Sequence, residues 1–168
     1  KQCKSGVHMS TNNPDVLIIG GGIAGVSAAA SLGQSNLNVV LVDMENQFGY
    51  HTTGRSAATF VGCYGNHIIR ALSAASRTFF ISPPEGFSEY PLLSPRGALC
   101  VADETHVIDL EESIADPANV GLLERLDTAA ALKLSPTVRP EAAVLASFEV
   151  DAADIDVNAL LQGYFKQL

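Results

Sequence analysis

The chain has 168 residues, of which 47% are hydrophobic and 17% charged, as is typical of a globular protein with a sizeable core. Its net charge of −8 offers no basic face to neutralise phosphates, so nucleic acid is excluded as a partner. No apolar run approaches the ~20 residues that a membrane-spanning helix needs. The first segment, Lys1 to Pro14, is polar and lacks the apolar core of a secretory signal, so we expect residues 1–14 to form a flexible leader.

The cysteines and histidines are few and widely spaced along the chain. Three cysteines without a Cys-x-x-Cys motif predict no disulfide framework and favour a reducing, cytoplasmic compartment. The four histidines have no paired spacing, so we expect no metal site.

A glycine-rich turn between a short strand and a helix is the strongest local signal. The β-branched run Val16–Ile19 predicts a buried parallel strand, and an Ala-rich helix follows from Ile23 to about Leu32. Between them, Gly20 permits a tight turn, Gly22 lets a pyrophosphate approach the backbone, and Gly25 lets the helix lie close to the strand. The phosphates would then meet free N–H groups at a helix N-terminus.

A second apolar strand, Val39–Val42, ends in an acidic residue. Asp43 stands where a carboxylate can accept hydrogen bonds from a ribose diol. The acid favours a free 2′-hydroxyl and argues against NADP, but it does not distinguish NAD from FAD. Strand, turn, helix, second strand and acid together predict a dinucleotide site.

The segment from Met44 to Gly65 is too long for a routine connection and is rich in Gly, Thr and Ser. Long ordered connections are commonly functional. After it we expect the following elements: a helix capped by Asn66 and stopped at Pro83; an antiparallel hairpin of 90–93 and 97–102; a helix from Asp103 or Thr105 to about Asp116; a strand over 122–126; a helix capped by Thr128 and ending at Leu134; a strand over 143–150; and a last helix capped by Asp156.

Beyond these elements, the residues resemble a known family. The run Gly49–Ala58, with the glycine-rich turn and Asp43, resembles the D-amino acid oxidase-like family of FAD-dependent oxidoreductases, and most closely its bacterial D-arginine dehydrogenases. Further segments match along the chain: Arg70–Leu72, Ala74–Arg77, Phe79–Phe80, Pro83–Pro84, Pro91–Arg96, Ala153–Asp156 and Gln162–Tyr164.

The resemblance implies an α/β fold, a Rossmann-like FAD-binding βαβ unit with part of a mixed α+β substrate subdomain. We expect the FAD-binding unit over 15–88, the partial substrate subdomain over 89–150, and a helix over 151–168 that leads into a C-terminal part. Two parallel strands leave apolar sheet surface bare, so we expect the sequence to be the N-terminal part of a larger protein.

The resemblance also assigns cofactor contacts. The backbone near Ala24 meets the pyrophosphate, Asp43 holds the adenosine ribose, and Met44 lies beside the adenosine. The following loop is expected to enclose the diphosphate and the flavin with Thr52, Thr53, Gly54, Arg55, Ser56, Ala57, Ala58 and Thr59. These residue types suit that role, because hydroxyls donate hydrogen bonds and a guanidinium offsets phosphate charge.

On the substrate side, Tyr64 matches a tyrosine that contacts substrate in the D-arginine enzymes. Two positions depart from that pattern. Thr59 stands where the family has a histidine near the flavin, and Ala98 stands where a glutamate receives the substrate's guanidinium. Without that carboxylate a cationic side chain lacks its partner, which disfavours arginine as the substrate.

The implied reaction is hydride transfer from a carbon bearing an amine to flavin N5, giving an imine that hydrolyses. The substrate is then a D-amino acid or related amine, and the electron acceptor is oxygen or a quinone-type carrier. Two alternatives stay open: a flavoenzyme for a hydroxy acid, and a truncated, non-catalytic flavin-binding module. The residues that bind the substrate carboxylate in this family come later in the chain, so the 168-residue segment alone is expected to be inactive.

Overall fold

The computed structural model describes residues 13–168, so Cys3, His8 and most of the expected leader lie outside the described residues. Two compact units divide the chain. One comprises the residues up to Ser56 together with Leu160–Leu168, and the other comprises Ala57–Ala159. The division into 15–88, 89–150 and 151–168 stays a prediction.

The first unit contains the predicted strand–helix–strand sequence. It consists of strand β1 (Val16–Ile19), helix α1 (Ile23–Gly33) and strand β2 (Val39–Val42). The two strands pair in parallel, with Val16 opposite Val39 and Ile19 opposite Val42. Both strands have the bounds that the sequence predicted, because short β-branched runs bounded by glycine and polar residues are strong local signals.

One face of this two-stranded sheet is open to solvent. The exposed fractions of its side chains are 54% for Leu17, 82% for Ile19, 37% for Val40 and 41% for Val42. Bare apolar surface was the expectation for two parallel strands, which are normally covered on both faces.

The second unit contains two small antiparallel sheets and three helices. In chain order its elements are β3 (Thr59–Phe60), α2 (His67–Ile81), β4 (Leu93–Pro95), β5 (Ala98–Ala102), α3 (Val107–Ala115), β6 (Leu123–Leu126), α4 (Thr128–Leu134), β7 (Leu145–Glu149) and β8 (Ala153–Ile155). One sheet has the order β3-β8-β4 and the other β5-β7-β6. A further helix, α5, covers Val157–Phe165.

The predicted hairpin of 90–93 and 97–102 is wrong. Strand β4 pairs with β8, whereas β5 pairs with β7, so the two neighbours in sequence belong to different sheets. The turn between them explains this, because the N–H groups of Arg96 and Gly97 both donate to the Ala152 carbonyl, at 3.2 and 2.8 Å. Gly97, at φ +75°, directs the chain away from β4 instead of folding it back.

Side chains at the helix starts confirm two predicted caps and correct a third. The Asn66 side chain accepts from the N–H groups of Ile68 and Ile69, each at 3.1 Å. Asp156 accepts from Ala159 at 2.8 Å. Helix α4 is capped by Asp127 rather than Thr128, because the Asp127 carboxylate accepts from the N–H of Ala130.

Helices α3 and α4 cover the sheet β5-β7-β6. Leu110 of α3 packs with Ala102 and Leu145 in one buried cluster. Ala131 of α4 packs with Ala143 and Ala146 in another. These clusters hold β7 in the middle of its sheet and so fix the position of Glu149 at the end of that strand.

A hydrogen-bonded turn precedes α3. Asp103 Oδ1 accepts from the N–H and hydroxyl of Thr105, at 3.0 and 2.7 Å, and lies 2.7 Å from His106 Nδ1. Hydrogen bonds from Thr105 and His106 lower the Asp103 pKa from 3.8 to about 2. The Asp103 carboxylate in turn raises the His106 pKa above its usual 6.5.

Replacing Asp103 with alanine is therefore expected to lower stability in a pH-dependent way. A lowered carboxyl pKa stabilises the folded state above pH 3.8, and the effect is lost as the pH falls toward 2. A raised imidazole pKa stabilises it below pH 6.5, and this effect is lost as the pH rises through the folded-state value. Urea unfolding of both proteins at about pH 5 and pH 9 should show the larger difference at pH 5. An equal difference at both values would contradict the ion pair.

Candidate functional site

The glycine-rich turn has the tight geometry that its spacing predicts. Gly20 adopts φ +111°, a conformation that residues with side chains rarely adopt. A Cβ on Gly25 would overlap the Gly20 carbonyl oxygen, so α1 can lie this close to β1 only with glycine at position 25. A Cβ on Gly22 would come within 3.1 Å of Thr53 Oγ1.

The start of α1 is open to an anion. The N-cap residue of α1, Gly22, has no side chain that could accept from the helix N–H groups, and residues 23–26 of the first turn include no acidic residue. Ala24, the expected pyrophosphate contact, lies exposed in this turn. The N–H of Ile23 donates to Thr53 Oγ1 at 3.0 Å, which ties the loop after β2 to the helix start. A negatively charged group is favoured at such a helix end.

Asp43 lies beside the glycine turn at the end of β2. Its carboxylate accepts hydrogen bonds from the N–H groups of Glu45, at 2.9 Å, and Gly21. These two bonds lower the Asp43 pKa below its usual 3.8, so the group is ionised at neutral pH. A carboxylate has about four lone-pair positions, which leaves acceptors for a diol.

A cleft of about 160 Å³ brings several predicted residues together. Gly22, Asp43, Thr52 and Thr53 line it with three residues that the sequence reasoning did not assign, Gly49, Tyr50 and His51. This cleft thus combines glycine backbone, a carboxylate and hydroxyl groups. That combination fits the diphosphate and ribose of a dinucleotide.

After β2, the other predicted cofactor contacts of this unit, Met44, Gly54, Arg55 and Ser56, do not line the cleft. Met44 is 90% exposed. Gly54 donates its N–H to the Gly49 carbonyl at 2.7 Å, the Arg55 guanidinium stacks 5.0 Å from the centre of the Tyr50 ring, and Ser56 is exposed. The Arg55 side chain is thus held at the rim by an aromatic ring.

Gly49 is a functional candidate that the sequence reasoning missed. It adopts φ +73°, and its N–H donates to the Gly21 carbonyl at 2.9 Å, which joins the loop to the glycine turn. A Cβ at this position would lie 2.7 Å from Leu161 of α5. Next to it, Phe48 stacks on Phe165 with ring centres 5.3 Å apart. In the sequence, the feature that could have identified Gly49 was its position between two aromatic residues, Phe48 and Tyr50.

The second unit has a cavity of about 470 Å³ at the predicted substrate residue. Tyr64, which is 71% exposed, lines it with Ala57, Thr59, Leu72 and Phe80. Ala58 does not line it, and its carbonyl accepts from the N–H of Ile155 at 2.9 Å. The structure thus brings Tyr64 and Thr59 to one cavity.

A further cavity, of about 600 Å³, is also lined by Thr59. Its lining includes Ala98, Val61, Phe148 and Arg96. The Arg96 guanidinium donates to Asp154 Oδ1 at 2.9 Å and to Thr59 Oγ1 at 3.4 Å. The two positions that depart from the D-arginine pattern, Thr59 and Ala98, therefore line the same cavity.

Among residues 13–168 there is no group of three His, Cys, Asp or Glu side chains placed to hold a metal ion. Over the same residues, no helix combines the length and apolar character needed to cross a bilayer.

Comparison with known proteins identifies a family. The family model described as FAD dependent oxidoreductase (DAO) matches residues 15–168. Among solved structures, the chain is similar to the L-alpha-glycerophosphate oxidase of Mycoplasma pneumoniae with FAD bound, at 24% identity and a TM-score of 0.73, over 93% of this chain and 43% of that one.

Two further structures share the fold. The glycine oxidase of Geobacillus kaustophilus matches at 18% identity and a TM-score of 0.74, over 92% of this chain and 44% of its own. The L-amino acid deaminase of Proteus vulgaris matches at 18% identity and a TM-score of 0.71, over 92% of this chain and 38% of its own. The chain thus spans less than half the length of each of these proteins.

Proposed function

Because the chain belongs to the FAD dependent oxidoreductase (DAO) family, we propose that the protein oxidises the CH–NH2 group of a D-amino acid or related amine. The family's cofactor is FAD. The observation that supports its binding here is the single cleft shared by Gly22, Asp43 and Thr53. Glycine oxidase and L-amino acid deaminase, which share the fold, act on amino acids by their names.

In this proposal the first unit binds the adenosine diphosphate half of FAD. The backbone at Gly22 and Ala24 receives the pyrophosphate, and Asp43 accepts from the ribose hydroxyls, with Met44 beside the adenosine. Hydroxyls of Thr52, Thr53 and Ser56 donate to phosphate oxygens, while Gly54 allows close backbone approach and Arg55 offsets charge at the rim.

The flavin, when bound, accepts a hydride from the substrate carbon. Residues Ala57, Ala58 and Thr59 are assigned to the flavin end of the loop, and Tyr64 to the substrate. Their task is to hold the substrate's C–H bond in line with the acceptor and to exclude water, since orientation supplies much of the rate in such a transfer.

We further propose that the substrate's side chain is not cationic. The cavity that contains Thr59 and Ala98 has Arg96 as its charged lining residue, with apolar residues such as Val61 and Phe148 beside it. Arg96 already occupies the Asp154 carboxylate, and no acidic residue among residues 13–168 lines the cavity, so a substrate guanidinium would lack a partner there, which costs affinity.

Replacing Ala98 with glutamate tests this assignment in the protein expressed from its complete natural reading frame. The new carboxylate should raise kcat/KM for D-arginine relative to D-leucine by about tenfold or more, because it supplies a partner for the cation. Ala98→Gln has nearly the same size without the charge and serves as the control. If both variants shift the ratio equally, the cavity does not receive the side chain.

A hydroxy acid is the second candidate substrate, because Thr59 and Ala98 replace the histidine and the glutamate of the D-arginine enzymes. Anaerobic mixing of the FAD-loaded protein with amino acids and with hydroxy acids separates the two. Bleaching of the flavin band by amino acids alone supports amine oxidation. Bleaching by neither class would favour a non-catalytic flavin-binding module.

We also propose a reducing, cytoplasmic location. The described residues include two free thiols, Cys63 and Cys100. Free cysteines are typical of proteins kept in a reducing compartment.

A further inference from the structure

Glu149 is a buried carboxylate that the proposed reaction does not use. It ends strand β7 in the middle of its sheet and is 1% exposed. Among the described residues, no Lys, Arg or His forms an ion pair with it. A buried charge without a cation must be satisfied by hydrogen bonds.

Two consecutive backbone amides supply those bonds. Glu149 Oε1 accepts from the N–H of Gly62 at 2.6 Å, and Oε2 accepts from the N–H of Cys63 at 3.2 Å. Both amides belong to the loop 61–65 between β3 and α2, which contains no helix or strand. Hydrogen bonds to an ionised group are stronger than neutral ones.

The loop fits closely against this carboxylate. A Cβ on Gly62 would lie 3.2 Å from Glu149 Oε1, a tighter contact than usual, so the backbone here lies close to the carboxylate. Burial of the thiol and its contact with Glu149 raise the Cys63 pKa to about 12. The next residue is Tyr64, whose side chain lines the cavity with Thr59.

We propose that Glu149 is a positioning residue that holds the loop 61–65 and thereby fixes Tyr64 at the substrate cavity. The loop has no regular structure of its own, so the two charged hydrogen bonds determine where its backbone lies. Releasing the loop would break both hydrogen bonds to the Glu149 carboxylate, which is unfavourable. The assignment of Tyr64 to substrate rests on the proposed function, whereas the anchoring of the loop does not.

Glu149→Gln changes this anchor with almost no change in size. The glutamine amide keeps one acceptor oxygen for one of the two backbone N–H groups. Its NH2 group faces the other N–H, and two donors cannot form a hydrogen bond. The Cys63 end of the loop should therefore open more often. Glu149→Asp keeps the charge and is expected to preserve part of the anchor.

The first readout is amide hydrogen exchange at Gly62 and Cys63 in the full-length protein. We expect slow exchange with Glu149 present and about tenfold faster exchange in Glu149→Gln, with Glu149→Asp between them. Ser147→Ala alters another buried residue of β7 and is the matched control, in which exchange at both amides should stay slow. Unchanged exchange in folded Glu149→Gln would overturn the anchor.

The second readout is steady-state kinetics with the best amine substrate. Displacing Tyr64 should raise KM by about tenfold while FAD content stays constant. If the wild-type protein oxidises no substrate, the proposed function fails, but hydrogen exchange at Gly62 and Cys63 still decides the anchor. If Glu149→Gln does not fold, amide hydrogen exchange of the wild type decides it: slow exchange at Gly62 and Cys63 supports the anchor, and fast exchange refutes it.

Discussion

Replacing Gly25 with valine is expected to weaken FAD binding severely. The new Cβ would overlap the Gly20 carbonyl oxygen and lie 3.3 Å from the Ile18 side chain. The main obstacle is backbone that cannot rotate away, so α1 must move off β1 and the glycine turn must change shape. Forced overpacking costs about 1–3 kcal/mol even where side chains can adjust. We expect the affinity for FAD to fall by about 100-fold or more.

Gly33→Ala is the matched control in the same helix. A Cβ on Gly33 meets nothing within 4 Å. Gly33 is the last residue of α1, so alanine there should leave both the helix and the cofactor affinity unchanged. FAD titration followed by flavin fluorescence measures both variants. Wild-type affinity in Gly25→Val would show that the close contact of turn and helix is not needed for the cofactor.

Replacing Asp43 with alanine is expected to have the second-largest effect. The change leaves the N–H groups of Gly21 and Glu45 without their acceptor and removes the proposed ribose contact. We expect about 100-fold weaker FAD binding, and about tenfold for Asp43→Asn, which keeps one acceptor oxygen. Asp15→Ala is the control, because Asp15 accepts from Asn38 at the opposite end of β1 and should not affect the cofactor.

The pH dependence gives an independent check on Asp43. Its hydrogen bonds from Glu45 and Gly21 hold the pKa below 3.8, so the carboxylate is ionised throughout the neutral range. FAD affinity of the wild type should therefore stay constant as the pH falls from about 8 to about 5. A drop in affinity within that range that disappears in Asp43→Asn would contradict an ionised acceptor.

The sequence predicted local structure well where one segment contains its own signals. Strands β1 and β2, the start of α1 and the Asn66 cap depend on residues close in sequence, and the structure places them as expected. The hairpin prediction failed because the true partners of β4 and β5 are strands that lie far away in the sequence, β8 and β7. Strands β3 and β8 have two and three residues, too few to show an alternating pattern.

The same distinction applies to the candidate site. Glycine spacing and the acid after β2 identified Gly22 and Asp43, which line one cleft with Thr53. Glu149 could not be recognised, because its hydrogen-bond partners lie 86 and 87 positions away in the chain. An acid at the end of an apolar strand looks like a solvent-exposed terminus until the loop that covers it is placed.

The visible absorption spectrum of the protein expressed from its complete natural reading frame is the most direct test of FAD binding and amine oxidation. We expect a yellow protein with the two bands of oxidised flavin, bleached anaerobically by an amino acid with an uncharged side chain. A colourless protein that takes up no FAD on reconstitution would contradict the cofactor site around Gly22, Asp43 and Thr53.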